Sequence, residues 1–342
     1  MKLVLDCQGG DKSPHANIDG ALMALEKYHD LTLILTGDES ELRSELTQRK
    51  ADLTRIDIVH APGIITGEDK PTDAIRLKKD SSMIAAINIL RHDDSVSGVI
   101  STGATGALVS AATISIGRIR GIRRPAFCPI FPTMNGGIVG ISDSGANVDI
   151  HPEQLLQFAI MGSAYLENVF GIKNPRVAMV NVGTESEKGD DLRKTAYPML
   201  AGCELINFVG NMESRDFMSG NYDLVVCDGF SGNVLVKSTE GTALEMLKLI
   251  KRSIMSRTMY KLGALFMKKM FRELKDFMNY QNYGGSVLLG TQKTIVKGHG
   301  SSNATAVFKS IELAYRMEST HLNEKIADAV KRMIADNNTE NN

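Results

Sequence analysis

Tryptophan is absent from this sequence of 342 residues, cysteine occurs four times, and 39 basic against 40 acidic side chains leave a net charge of only −1. Cys7, Cys128, Cys203 and Cys227 are widely spaced, with no Cys-x-x-Cys and no neighbouring histidine set. Neither a disulfide framework nor a zinc site is indicated, no metal is expected, and a reducing cytoplasm suits the chain. The balanced charge excludes a whole-protein nucleic-acid footprint, so any basic function must be local. No apolar run approaches the ~18 residues of a membrane span. Met1-Lys2 lead directly into the strand-like Leu3-Val4-Leu5, so a signal peptide is not expected. Gly-x-Gly-x-x-Gly after a strand is missing, and so is Gly-x-x-x-x-Gly-Lys-[Ser/Thr]. No Rossmann cofactor or P-loop nucleotide is therefore supported.

What is present is an α/β rhythm. Apolar strand patterns at 3–5, 31–35 and 56–59 alternate with helical patterns at 18–28 and 41–48, which implies parallel strands with right-handed crossovers. Further strands are expected at 127–132 and 137–141 as a pair, and at 176–182, 205–209, 224–227 and 295–297. Helices are expected at 81–90, 152–170 and 304–317. The fold class is α/β, a three-layer α/β/α sandwich around one mostly parallel sheet. It forms a single catalytic domain over 1–335, followed by a polar tail at 336–342.

The strand ends share a chemistry. Val96, Val99 and Ile100 run into Ser101-Thr102-Gly103-Ala104-Thr105-Gly106, whose glycines let the backbone approach a ligand and whose hydroxyls and first-turn N–H groups offer donors to an oxyanion. Similar polar glycine turns follow at 142–147, 183–189, 210–216, 228–233 and 298–303, and the first strand ends in Asp6-Cys7-Gln8-Gly9-Gly10-Asp11 with His15 just beyond. Asp6 and Asp11 suit holding a cation or serving as turn residues; Arg120, Arg123 and Arg124 suit holding an anion or coating a loop. The recurrence points to a cleft along the carboxyl edge of one sheet, built for a phosphoryl or carboxylate ligand. Lys188 is placed there by its position just past a central strand.

Residues 241–280 interrupt this rhythm. Apolar positions from Leu244 to Phe277 and Met278 recur at spacings of three and four, with nine basic residues (Lys248, Lys251, Arg252, Arg257, Lys261, Lys268, Lys269, Arg272, Lys275) against three acidic ones (Glu245, Glu273, Asp276). A protruding amphipathic helical pair, broken near Gly263, is expected. Its tip, Leu262, Leu265, Phe266 and Met267 beside Lys268 and Lys269, has the pattern of a shallow contact with an anionic membrane. The same face suits an acidic carrier protein or a dimer interface.

Taken in order, Asp6-x-x-Gly9-Gly10-Asp11, 101–107, 142–147, 181–189, Phe208-Val209-Gly210-Asn211, Cys227-Asp228-Gly229-Phe230-x-Gly232-Asn233, Tyr283-Gly284-Gly285 and His299-Gly300-Ser301-Ser302-Asn303-Ala304 resemble the PlsX family of phosphate acyltransferases. Gln8 stands where that family usually has Met, and Ala104 where it has Asn. The resemblance implies an isocitrate/isopropylmalate dehydrogenase-like fold and a homodimer associated peripherally with the inner face of the cell membrane. It also implies transfer of a long-chain acyl group from acyl-[acyl-carrier-protein] to inorganic phosphate. The acyl phosphate formed would feed phospholipid synthesis, with a glycerol-phosphate acyltransferase downstream. The catalytic candidates are Lys188 as phosphate cation, Asn233 and the Gly232 backbone as donors, and His299 and His15 for phosphate orientation or proton transfer. Thr102, Gly103, Thr105, Gly106, Asp228, Ser301, Ser302 and Asn303 complete the expected substrate cradle. A short-chain phosphotransacetylase acting on acyl-CoA and a non-catalytic membrane-docked carrier scaffold are the alternatives.

Overall fold

The computed structural model describes residues 1–277 and 283–340. Met278 and the last positions of the helical excursion, and the final two of the polar tail, lie outside the described residues.

The expected single sheet is two. The first has seven strands in the order β3-β2-β1-β4-β12-β11-β5: β1 Lys2–Asp6, β2 Thr32–Gly37, β3 Ile56–His60, β4 Val96–Ser101, β5 Ala126–Cys128, β11 Ser286–Leu289 and β12 Thr294–Lys297. The second has five in the order β6-β7-β10-β8-β9: β6 Ile130–Pro132, β7 Ile138–Ser142, β8 Arg176–Asn181, β9 Asn207–Glu213 and β10 Leu224–Val226. Both are parallel at the centre and antiparallel at one side, where β12-β11-β5 and β6-β7 pair. The division falls at Pro129. One extended segment serves β5 in the first sheet and β6 in the second, and the proline between them has no N–H with which to continue a ladder.

Burial follows the pleat. Leu3 and Leu5 point into a core closed by helices His15–Lys27 and Ala304–Ser319, while Val4 points oppositely, toward Met83 and Leu108 on helices Ser82–His92 and Thr105–Ala111. In the second sheet Val177, Met179, Leu224 and Val226 join the core of Leu3 and Leu5, together with Leu155 and Phe158 of helix Pro152–Phe170. Ala178, Val225 and Cys227 face a separate core with Leu235. One hydrophobic core thus spans both sheets and fixes their carboxyl ends relative to each other.

The excursion differs from the expected pair. Helix Gly229–Met255 starts at a strand-end turn and runs without a break through 241, for 27 residues and therefore about 40 Å. Thr258–Phe266 and Lys268–Phe277 follow as two further helices. The chain breaks at Arg257, whose backbone is extended (φ −139, ψ 144), and Gly263 lies inside a helix instead of at a break. Only Gly229, Gly232 and Leu235 of the long helix are fully buried; its first turns pack on the body and the part beyond Glu240 stands off it. Phe266 at the tip is 93% exposed. Strand β11 and helices Pro71–Leu77, Asp191–Ala201 and Leu322–Glu340 are additions to the sequence-based expectation.

Helices His15–Lys27 and Ala304–Ser319 are joined by Glu312, which accepts hydrogen bonds from Lys27, from the Tyr28 hydroxyl at 2.8 Å and from Lys309 at 2.7 Å. Burial raises the Glu312 pKa, but these three donors outweigh it and hold the carboxyl at about 2, below the usual 4.5. Its stabilisation is present above the unfolded value and is lost as pH falls through about 2. Replacing Glu312 by Gln should lower urea stability at pH 7 by on the order of 1–2 kcal/mol. The gap should close on acidification from 4.5 toward 2, and a penalty that stays constant across that window contradicts the charge-based origin.

Candidate active site

Asp6, at the end of β1, is buried and ties three loops together. One carboxylate oxygen accepts from the Ser82 hydroxyl at 2.5 Å and the Gln8 N–H at 3.2 Å; the other accepts from the Ser101 hydroxyl at 2.6 Å. Ser101 also accepts from the Gly103 N–H at 3.1 Å. Thr102 donates to the Gly9 carbonyl, and the Asp11 N–H reaches the Gly300 carbonyl at 2.8 Å. The ends of β1, β4 and β12 therefore form one unit. Burial pushes the Asp6 pKa up, against the Ser101 and Ser82 hydrogen bonds.

Asp143 plays the same part after β7. Its carboxylate accepts from the backbone N–H groups of Phe127 (2.9 Å), Ala146 (2.9 Å) and Asn147 (2.7 Å), and from the Asn147 side chain at 3.0 Å. Phe127 lies on β5, so this carboxylate stitches the two sheets together across the Pro129 division. Burial raises its pKa against those hydrogen bonds. Helix Gly229–Met255 begins beside it, capped by Asp228, which accepts from the Ser231 N–H at 2.8 Å and from Arg193 at 2.8 Å. Burial alone would raise the Asp228 pKa; Ser231 and Arg193 bring it below the usual carboxylate value.

Between these two units lies a cleft of about 530 Å³, within the size range of small-molecule sites. Its polar end carries Lys297, His299, Ser286 and Asn233; its apolar walls are Val109, Phe127, Pro129, Ile130, Phe131 and Val236. Asn233 donates to the Ser144 carbonyl at 3.2 Å. Lys297 ends β12 and is only 9% exposed. Its ammonium group donates to the carbonyls of Gly298 and, at 3.5 Å, Thr102. Burial lowers its pKa from 10.5 to about 8, against the opposing pull of Asp6 and Asp11. The His299 pKa is lowered by burial and by Lys297, so its ring is neutral at pH 7. Across the cleft on the long helix sit Lys237 and Glu240, the latter raised by burial to about 7 despite Lys237.

Of the residues expected from sequence, Thr105, Gly106, Asn233 and His299 line this cleft. Helix Thr105–Ala111 is preceded by Ala104, which supplies no side-chain cap, and its first two residues, Thr105 and Gly106, line the cleft. The others stand elsewhere. Thr102 and Gly103 form the support behind the wall, and Asp228 and Asn303 are N-caps, Asn303 accepting from the Ala306 N–H at 2.9 Å. The Gly232 N–H is already donated to the Asp228 carbonyl at 3.0 Å, so it is no substrate donor. A Cβ at that glycine would overlap the Asp143 carbonyl oxygen, and close approach is what Gly232 provides. Ser302 is buried behind Gly298, and Ser301 is hydrogen-bonded to His299 at 2.9 Å. His15 is paired with Glu45 at 2.8 Å on the surface, and Arg123 with Glu153 at 3.3 Å. Lys188 is exposed on the loop after β8, with its carbonyl accepting from Asn181 at 3.0 Å, and is not a wall residue. Lys297, Ser286, Lys237 and Glu240 were not anticipated. Lys297 obeys the same strand-end rule that selected Lys188, whereas the other three depend on the antiparallel β11 and on the long helix packing across the cleft.

A sequence profile for the family described as fatty acid synthesis protein matches residues 1–325. A phosphate acyltransferase of Clostridioides difficile (strain 630) is 41% identical over 341 residues, covering 100% of this chain and 98% of that one. One from Shouchella clausii (strain KSM-K16) is 42% identical over 331 residues, covering 97% and 99%. Among solved structures, a phosphotransacetylase from Streptococcus pyogenes superposes with a TM-score of 0.59 at 16% identity, covering 93% of this chain and 94% of that one. A branched-chain phosphotransacylase from Enterococcus faecalis V583 does so at 0.52 and 13%, covering 92% and 99%. These likenesses place the chain in an α/β fold shared with phosphotransacylases.

The Asp6 unit makes a prediction about its glycines. A Cβ on Gly9 would lie 2.6 Å from the Gly103 backbone nitrogen and 2.8 Å from the Asp6 carboxylate, whereas one on Gly103 meets the movable end of Met83 at 2.7 Å. Gly9→Ala should therefore destabilise by about 1–3 kcal/mol and Gly103→Ala by clearly less. Urea unfolding of the two variants checks the order, and a reversed order contradicts the packing described.

Proposed function

The chain belongs to the fatty acid synthesis protein family, whose curated relatives are phosphate acyltransferases, and on that premise we propose that it moves a long-chain acyl group from acyl-[acyl-carrier-protein] to inorganic phosphate. The product is acyl phosphate for phospholipid synthesis. The observation that carries this reading is the two-ended cleft, with a buried ammonium and neutral donors at one end and an apolar wall at the other.

The reaction asks for positioning more than for strong acid or base. Phosphate is already ionised near neutrality, and a thiol of pKa about 8.5 is a good leaving group. The enzyme must hold an anion against a thioester carbonyl and stabilise the oxyanion that forms there. In this reading Asn233 and the Thr105 and Gly106 amides supply donors, His299 orients phosphate, and Lys188 supplies a cation from the solvent side. The apolar walls seat the first part of the acyl chain.

The three-helix arm supports the choice of donor. Its basic surface complements an acidic carrier protein, and its exposed Leu262, Leu265, Phe266 and Met267 beside Lys268 and Lys269 suit peripheral contact with an anionic membrane. Among the described residues no helix is long and apolar enough to cross a membrane. A homodimer is part of the same reading.

Hydroxylamine trapping of acyl phosphate from purified protein and phosphate tests it, with long-chain acyl-carrier protein and acetyl-CoA compared as donors. The carrier-bound donor should react and acetyl-CoA should not; the reverse preference replaces this reading by the short-chain one. Carrier and vesicle binding with no turnover replaces it by the scaffold reading. In the same assay Lys188→Ala should abolish phosphate-dependent product without unfolding the chain, and unchanged turnover removes Lys188 from the mechanism.

A further inference from the structure

Lys297 and Ser286 are polar side chains of the cleft to which the reading above assigns no step in the transfer. They are directly opposed across the antiparallel β11–β12 ladder, Ser286 pairing with Lys297. Directly opposed residues project to the same face of a sheet with Cβ atoms about 4.5–5.5 Å apart, and both line the cleft. The Ser286 hydroxyl oxygen is buried and has no hydrogen-bond partner among the described residues. Among the described residues no carboxylate forms an ion pair with Lys297; its ammonium group is held by two carbonyls, with one donor position in excess of those bonds. A buried hydroxyl without a partner and a buried cation with donor capacity to spare, side by side on one face, are costly to keep unless an anion joins them.

We propose that Lys297 is a catalytic residue and Ser286 its partner in a phosphate clamp at the cleft floor. The Lys297 ammonium and the Ser286 hydroxyl hold inorganic phosphate facing the thioester carbonyl, and Lys297 then relays the proton that the exchange must move. A phosphate oxygen forms the new bond to the acyl carbon, and the carbon–sulfur bond breaks with its electron pair passing to sulfur. The ammonium gives its proton to that thiolate and takes back the remaining proton of the hydrogen phosphate. The products are acyl phosphate and the free carrier thiol, with Lys297 returned to its starting form. This inference rests on phosphate being the acceptor, not on which thioester donates.

The groups that face Lys297 support the chemistry. Asp6, the last residue of β1, and Asp11, on the loop after it, favour its charged form, while burial opposes it and sets its pKa at about 8, near that of the thiol it protonates, as efficient proton transfer requires. His299, on the loop that follows Lys297, has its pKa pushed below the usual value; Lys237 and Glu240 face the cleft from the long helix, Glu240 near 7. Glu240 and Lys297 lie close together in pKa, so the comparison with Lys297→Arg is what assigns the limb to Lys297.

The test measures kcat/KM for phosphate against pH in the full-length protein. The wild type should lose activity above about 8 as Lys297 deprotonates. Lys297→Met should lower kcat/KM for phosphate by about 100-fold or more at every pH while KM for the acyl donor stays nearly unchanged. Ser286→Ala should lower it on the order of tenfold. Lys297→Arg keeps its charge above pH 10, so its residual activity should lose the alkaline limb. An alkaline limb unmoved in Lys297→Arg, or a folded Lys297→Met with wild-type phosphate kinetics, overturns the proposal. Should that variant not fold, wild-type protein labelled with ¹⁵N-lysine decides. Inorganic phosphate alone should raise the midpoint of the lysine with the lowest pKa, and no shift at saturating phosphate overturns the proposal. Since that titration contains no acyl donor, a missing phosphate shift beside intact transfer rejects Lys297 alone. A preference for acetyl-CoA beside an intact shift rejects only the donor assignment.

Discussion

Two carboxylates buried at the ends of central strands, Asp6 and Asp143, hold the cleft in shape. A carboxylate out of water is tolerated only when its oxygens are met by donors, and here the donors come from the loops that must be aligned. Asp6 gathers Ser82, Gln8 and Ser101, and through Ser101 the Gly103 amide. Asp143 gathers Phe127 of one sheet and Ala146 and Asn147 of the other. Losing either would free several donors at once, because each carboxylate satisfies groups from more than one segment. Asp6 also favours the charge on Lys297, the cleft's deepest cation. One carboxylate thus sets loop geometry and local electrostatics together.

The rest of the architecture follows from where the sheets part. Pro129 divides a single extended segment between them, so the apolar residues on either side, Phe127, Ile130 and Phe131, are left facing a gap and become the wall of the cleft. The polar end is built from strand termini and the apolar wall from the division itself, which is why an anion and a hydrocarbon chain can meet there. Helix Gly229–Met255 closes one side with Asn233, Val236, Lys237 and Glu240, then leaves the body as the basic arm. The same helix that lines the site also carries the surface suited to a donor protein.

The local elements were largely legible in the sequence, because period-two and period-3.6 apolar patterns are short-range signals. The β1, β2, β3 and β8 strands and the helix Pro152–Phe170 lie where those patterns put them. What was not legible depended on tertiary contacts. The two-sheet division turns on a proline that reads equally well as a bend within one pair of strands. Gly263 looked like a break but is accommodated in an exposed helix, where the penalty for glycine is about 1 kcal/mol. At the site most strand-end turns lie where the sequence puts them, but 210–213, expected as a turn, continues strand β9 to Glu213; turn chemistry alone also does not separate a ligand donor from an N-cap. Asp228, Asn303 and Thr102 satisfy backbone groups, and His15 is taken by Glu45. Lys297 sits on a four-residue strand that is wholly buried, and burial of a lysine is a property of packing that no local pattern reports.

Amide hydrogen exchange of the full chain tests the central claim that the loops of both sheets form one phosphate-and-thioester cleft. It would compare the free protein with protein saturated in inorganic phosphate and a non-reactive thioether analogue of the acyl-carrier donor. The account predicts slowed exchange together in 6–11, 101–106, 143–147, 229–240 and 297–303. Protection confined to the loops of one sheet, or located at the opposite edge around 292–294 and 318–324, would contradict it.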